Sequence, residues 1–202
     1  MAITNGYFTL AEFKAHQGVK SFDTLDDAVI EDTAEGVCRD FDRLSGRRFY
    51  ADSMDATRYY TAKEANCLKI DDLSAAPTSV SVDYTEGQES YTVLTSTQYY
   101  LEPTNALLDG LPYREIYINP INGGYFPKSR RGVKVIGKFG FPAVPDNVRQ
   151  ACLDAAVARY KSRFGENMQS TATITGAGVV LTPKFGFTDQ AMQTIKSYRF
   201  NT

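Results

Sequence analysis

His16 is the only histidine in the 202 residues. A serine-type triad needs an imidazole between nucleophile and carboxylate, and a histidine-built zinc site needs several, so both chemistries are close to excluded. His16 stands near the end of a short helical run, where the dipole favours a cation, and no motif ties a nucleophile to it. Its reading is structural. Carboxylates cluster at Asp26-Asp27, Asp40/Asp42 and Asp71-Asp72. A two-metal nuclease needs acids converging from separate elements, usually with a lysine. Aspartates at a helix start or in a turn are accounted for by capping and solvation. Gly176-Ala177-Gly178 lacks the GxxxxGK[ST] pattern and precedes no helix start, so it is not a phosphate loop. Cys38, Cys67 and Cys152 are far apart and form no CxxC pair. Two of them fall in helical runs, where small buried thiols are expected, in keeping with a reducing compartment.

Two basic clusters remain, Arg47-Arg48 and Lys128-Ser129-Arg130-Arg131. Each flanks an expected strand, where solvated charges are ordinary. Lys128, Arg130 and Arg131 leave room for a weak, sequence-independent contact with DNA phosphate. The balance of 22 Lys and Arg against 24 Asp and Glu argues against a protein whose main task is to coat DNA. Tyrosine (13) and phenylalanine (12) exceed what one small β core obviously needs. Tyr113, Tyr125 and Phe126 are therefore candidates for a contact surface, with a core role equally open.

The elements that must position these residues are helical at both ends. Thr9 and Glu12 stand at capping-box spacing, and Gly18 ends the first helix. A second helix begins near Asp23 or Thr24, with Ile30, Ala34, Val37, Phe41 and Leu44 as its apolar stripe, and stops at Ser45-Gly46. From 47 to 140 the periodicity changes to two. Extended runs are expected at 47–50, 57–60 and 67–70, then a turn at Asp71-Asp72. A hairpin joins Val80–Tyr84 to Tyr91–Leu94 across Glu86-Gly87, and further strands follow at 99–101, 115–118 and 133–139. Pro145 opens a long helix carrying Val148, Cys152, Ala156 and Tyr160. Residues 165–187 read as an extended or mobile arm, and Thr188 caps a last short helix with Ala191, Ile195 and Tyr198 on one face.

The expected fold class is α+β: a small helical bundle of two N-terminal helices, one long helix and one short C-terminal helix, with a large β-rich insertion. Residues 1–46 and 141–202 make the helical body and 47–140 the insertion, because neither terminal stripe can be buried alone. No apolar run approaches the roughly 18 residues that cross a membrane, and the N-terminus shows no basic start with an apolar core, so no signal peptide is visible.

Four stretches together resemble the head–tail connector (adaptor, or head-completion) proteins of long-tailed bacteriophages. They are Thr9-Leu10-Ala11-Glu12-Phe13-Lys14, Phe41-Asp42-Arg43-Leu44-Ser45-Gly46-Arg47-Arg48-Phe49, Tyr99-Tyr100-Leu101-Glu102-Pro103, and Gly140-Phe141-Pro142-Ala143-Val144-Pro145-Asp146-Asn147-Val148-Arg149-Gln150-Ala151 with Arg159-Tyr160-Lys161 beyond it. Their order and spacing, not any one motif, carry the resemblance, which covers most of the chain to about residue 165. It implies a non-enzymatic virion protein with no cofactor and no metal, made and assembled in the host cytoplasm and placed at the head–tail junction. Its partners would be the portal protein, neighbouring copies in a ring (twelvefold in the family), and the next head-closure or tail protein, with DNA passing through the channel without sequence-specific binding. Short members of the family lack an insertion like 47–140. In the family the C-terminal segment often reaches the portal or a neighbouring subunit. Here Val179-Val180-Leu181 is apolar and β-branched, suited to adding a strand to another chain's sheet, and Ile195 and Tyr198 offer a small apolar face. The alternatives are an acid-dependent nuclease or hydrolase of phage origin and another virion ring protein, such as a head-closure or tail-terminator protein.

Overall fold

The computed structural model describes residues 3, 5–18, 23–85, 87–163, 170–175, 178–183 and 187–199. In chain order the elements are α1 (Leu10–Gln17), α2 (Asp27–Ser45), β1 (Ala56–Tyr60), β2 (Cys67–Leu73), β3 (Ser79–Asp83), β4 (Tyr91–Leu94), β5 (Tyr99–Glu102), β6 (Tyr113–Ile118), β7 (Val133–Gly137), α3 (Asp146–Arg163), β8 (Ser170–Thr175), β9 (Gly178–Pro183) and α4 (Asp189–Tyr198). The fold is α+β, and the chain divides into two compact units: Met1–Arg47 with Val144–Thr202, and Arg48–Ala143.

The first unit is helical. The Glu12 amide donates to Thr9 Oγ1 (3.2 Å) and the Thr9 amide donates to the Glu12 carboxylate (2.7 Å), closing the capping box. α2 starts three to four residues later than the acidic run implies. Residues Asp23 to Asp27 instead turn around Lys14, whose buried ammonium donates to the Asp23 carbonyl (2.6 Å) and pairs with Asp27 (2.6 Å). Ile30, Ala34, Val37 and Phe41 are buried along one stripe of α2, and Leu44 is half-buried. α2 packs on α3, where Val148, Cys152 and Ala156 are buried. Ala151 and Ala155 are also buried along α3. The Cys38 and Cys152 thiols are hydrogen-bonded between the helices, and burial pushes the Cys152 thiol far above its ordinary range. The pair therefore packs as small apolar groups.

Polar ties lace the same unit. The Tyr160 hydroxyl donates to Asp26 (2.8 Å), and burial with that carboxylate pushes its pKa up to about 12. Arg149 pairs with Glu12 at 2.9 Å. α4 packs on α3 and α2 of its own chain. Ala191 and Ile195 are buried, Arg47 and Arg199 donate to the carbonyls of Tyr198 (3.3 Å) and Leu44 (3.1 Å), and Phe187 meets Phe41 edge-on at 5.7 Å. The stretch expected as an extended or mobile arm contains a two-stranded antiparallel hairpin, β8–β9, pairing Ala172 with Leu181, Thr173 with Val180 and Ile174 with Val179.

The second unit is two antiparallel sheets, ordered β1-β7-β3-β4 and β2-β6-β5. Val80 lies opposite both Val135 and Leu94, and Val82 opposite Val133, so the period-2 valines stack across strands. With Leu68, Ile70, Ile116, Phe126 and Phe139 they form one buried cluster. Two expectations are corrected here. β2 runs through Asp71-Asp72 rather than turning there. Asp71 accepts from Arg58 (2.6 Å) and from the Tyr60 hydroxyl (2.9 Å) on β1, Leu73 bridges to Phe139, and the β2–β6 register shifts between Lys69 and Leu73, so the acids lie at an irregularity in the strand rather than a turn. Residues 47–50 form no strand; Phe49 instead buries its ring against Phe141 at 4.7 Å. Gly140, at φ 113°, passes so close to Tyr50 that a Cβ would stand 1.8 Å from its carbonyl oxygen.

Candidate interaction surfaces

The histidine and the helical acids singled out for chemistry have structural partners, while Gly176 and Ala177 lie outside the described residues. His16 Nε2 lies 3.4 Å from Asp154. Asp26 and Asp27 hold Tyr160 and Lys14; Asp40 pairs with Arg43 and Arg159; Asp42 takes the Tyr7 hydroxyl and Arg39. Among the described residues no three of His, Cys, Asp and Glu converge to hold a metal ion. The acids are therefore engaged in packing α1, α2 and α3 together.

The contact candidates separate. Phe126, for which the sequence leaves contact and core roles both open, is fully buried in the β core, and its amide donates to the Ala65 carbonyl (2.7 Å). Tyr113 packs half-buried against that core. Tyr125 is 53% exposed, its ring meeting Tyr84 at 5.2 Å. Ile195, expected to offer an apolar face to a partner, is 1% exposed within its own chain, on the helix that packs on α2 and α3. The Tyr198 hydroxyl donates to Asn147 (3.0 Å). Val179, Val180 and Leu181 sit on β9, paired with β8; among the described residues the outer edge of each strand is unpaired.

One exposed surface was missed in the sequence. Leu107, Leu108 (87% exposed) and Leu111 project from the turn between β5 and β6. The turn is tightly built: Glu102 accepts from the Thr104 amide (2.6 Å) and hydroxyl (2.8 Å), Ala106 is buried, and the Leu111 amide donates to the Ala106 carbonyl (2.7 Å). The available signal was three leucines in an Asn-Asp-Gly-Pro loop, where polar residues are the rule.

The basic loop is also ordered. Arg131 has a left-handed backbone (φ 57°). Its amide donates to Thr61 Oγ1 (3.1 Å), and its carbonyl accepts from the Tyr91 hydroxyl (2.8 Å). Its guanidinium lies over the Tyr59 ring (4.4 Å) and pairs with Glu89 (3.0 Å). Tyr59 and Tyr91 are 6.0 Å apart, and the Lys134 ammonium caps the Tyr91 ring at 4.6 Å. Lys128 and Arg130 are exposed.

This fold, a helical body with a two-sheet insertion, is shared over nearly the whole chain with components of gene transfer agent particles. A chain from the neck of an empty gene transfer agent particle, computed with C6 symmetry, aligns with TM-score 0.56 at 14% identity, covering 98% of this chain and 92% of that one. A chain from the neck of the native particle, computed with C12 symmetry, gives 0.55 at 16% with the same coverage. A chain from the virion of the native particle gives 0.53 at 17%, again at 98% and 92%. At these identities the likeness is one of fold. No protein-family model matches the chain, and no curated protein matches it. No helix among the described residues is long and apolar enough to cross a membrane.

Proposed function

We propose that the chain is a structural protein of a virion neck, a head–tail connector that assembles as a ring beneath the portal and joins the head to the tail or head-closure proteins. The observation that carries this reading is the shared fold with gene transfer agent neck chains over 98% of the sequence, insertion included. Those necks were computed with sixfold and twelvefold symmetry, which supports a ring of copies around the DNA channel. The β8–β9 hairpin, with Val179, Val180 and Leu181, is the element that reaches the portal or the next subunit. An isolated two-stranded hairpin is marginal in water and gains most from a third strand. Tyr113 with the Leu107–Leu111 turn at one end of β6, and Tyr125 beyond its other end, are two surfaces offered to the next neck or tail protein.

The test is reconstitution. Purified chain is mixed with portal-bearing, DNA-filled heads that lack it, and co-sedimentation is measured. Stoichiometric attachment to portal-bearing heads, and none to heads without portal, is expected. Equal attachment to both, or none to either, would overturn the reading.

A further inference from the structure

We propose that the end of the four-stranded sheet where β7 begins is a phosphate-contact site for duplex DNA, made by Lys128, Arg130 and Arg131 and indifferent to base sequence. Charge is unevenly distributed along the β unit. Residues 116–145 hold five cations and no acid, whereas 48–115 hold five cations and eleven acids. Many of those acids are already engaged. Asp52 pairs with Arg48, Asp71 with Arg58, and Asp83 accepts from the amides of Thr85, Gly87 and Glu89. Near the site, Glu89 takes one nitrogen of Arg131, and Glu64 is exposed on a neighbouring turn; Glu86 lies outside the described residues.

The second observation is that the site is built. The Arg131 backbone is held in a left-handed conformation from both sides, by Thr61 and by Tyr91. Strain of that kind persists only where its surroundings over-determine it. The Tyr59–Tyr91 pair then fixes two cations, Arg131 and Lys134, on its rings. A guanidinium has five N–H donors, and Glu89 engages one nitrogen, so donors remain for a phosphate. Lys128 and Arg130 have no ion-pair partner among the described residues. Of the three contact groups Arg131 is held in place beforehand, which lowers its ordering cost on binding, while Lys128 and Arg130 are exposed and free to turn toward a phosphate.

The ligand follows from the donor set. The three contact groups are cations, which match the regularly spaced charges of a duplex backbone, and a second duplex of unrelated sequence tests whether either arginine also reads a base. The ring reading supplies the reason duplex DNA would lie alongside; the binding test does not depend on it.

Anisotropy of a labelled mixed-sequence 20-base-pair duplex, titrated with the full chain, decides the matter. Three phosphate contacts give a slope of about −2.7 in log affinity against log salt, an affinity loss of about 40-fold between 50 and 200 mM. The variant Lys128→Gln/Arg130→Gln should bind weakly and lose only about 3-fold over that range. The charge-matched control Lys69→Gln/Lys196→Gln should bind like the parent, and a second duplex of unrelated sequence should bind equally. No binding at 50 mM, parental binding by the double variant, or a preference for one sequence would overturn the proposal. So would tighter binding of labelled polyglutamate with the same dependence on Lys128 and Arg130, which would assign the site to an acidic protein. If the duplex binds as predicted while the chain fails to join portal-bearing heads, the ring reading fails and this site stands.

Discussion

Val37 is the most direct probe of the helical body. It is 3% exposed on the α2 stripe that packs on α3. Replacing it with Asp removes about 1.5–3 kcal/mol of side-chain burial. The introduced carboxylate must then either be buried charged, at a cost of several kcal/mol, or take up a proton. Protonating a group of unfolded pKa near 3.9 costs about 4 kcal/mol at pH 7 and about 1.5 kcal/mol at pH 5, at about 1.36 per unit. The total is roughly 6 kcal/mol at pH 7, comparable to the whole stability of a domain at about 5–15 kcal/mol. The sign follows from linkage. Burial raises the folded pKa, so the variant's relative stability is greatest below pH 4 and is lost as pH rises through the folded value. Urea unfolding followed by far-UV circular dichroism should show Val37→Asp far below Val37→Ala at pH 7, with the gap shrinking by about 2–3 kcal/mol at pH 5. A variant that unfolds within about 1 kcal/mol of the parent at pH 7, or a gap that does not change with pH, would refute the α2–α3 interface.

Three further outcomes are expected. Gly140→Ala should cost about 2–4 kcal/mol in the same assay, because the new Cβ meets the Tyr50 carbonyl at a backbone angle disfavoured for side chains. The Thr85 hydroxyl and the surrounding amides hold the Asp83 carboxyl below its usual range; its contribution is therefore present above that range and lost as pH falls through the folded value, so the stability difference between parent and Asp83→Asn should vanish in acid. Replacing residues 170–183 with a short Gly-Ser linker should leave the melting temperature of the body nearly unchanged while abolishing attachment to portal-bearing heads; truncation after Phe164 should instead destabilise, since it strips α4 from Phe41 and the Leu44 turn.

The helical stripes and caps were legible because they depend on neighbours three and four residues away. Thr9 with Glu12, Ile30 to Phe41, Val148 to Ala156 and the Thr188 cap all appear where the spacing puts them. What escaped the sequence depends on distant residues. Asp71-Asp72 reads as a turn until Arg58 and Tyr60 arrive from β1 to satisfy Asp71 in a strand. The α2 start moves because Lys14, on another helix, draws Asp23 and Asp27 around itself. Phe126 and Ile195 look the same in sequence whether they face a partner or a core, and only packing distinguishes them. The leucine turn is not legible locally, because Leu107, Leu108 and Leu111 have the same residue type as core leucines and only the packing of the buried Ala106 turns them outward.

Electron cryomicroscopy of reconstituted heads bears most directly on the central claim. Portal-bearing heads incubated with the chain should show one added ring of density beneath the portal, each subunit fitting both the four-helix body and the two-sheet unit, with the 170–183 hairpin lying against the portal or the adjacent subunit. An unchanged portal, or chain bound elsewhere on the particle, would contradict the account.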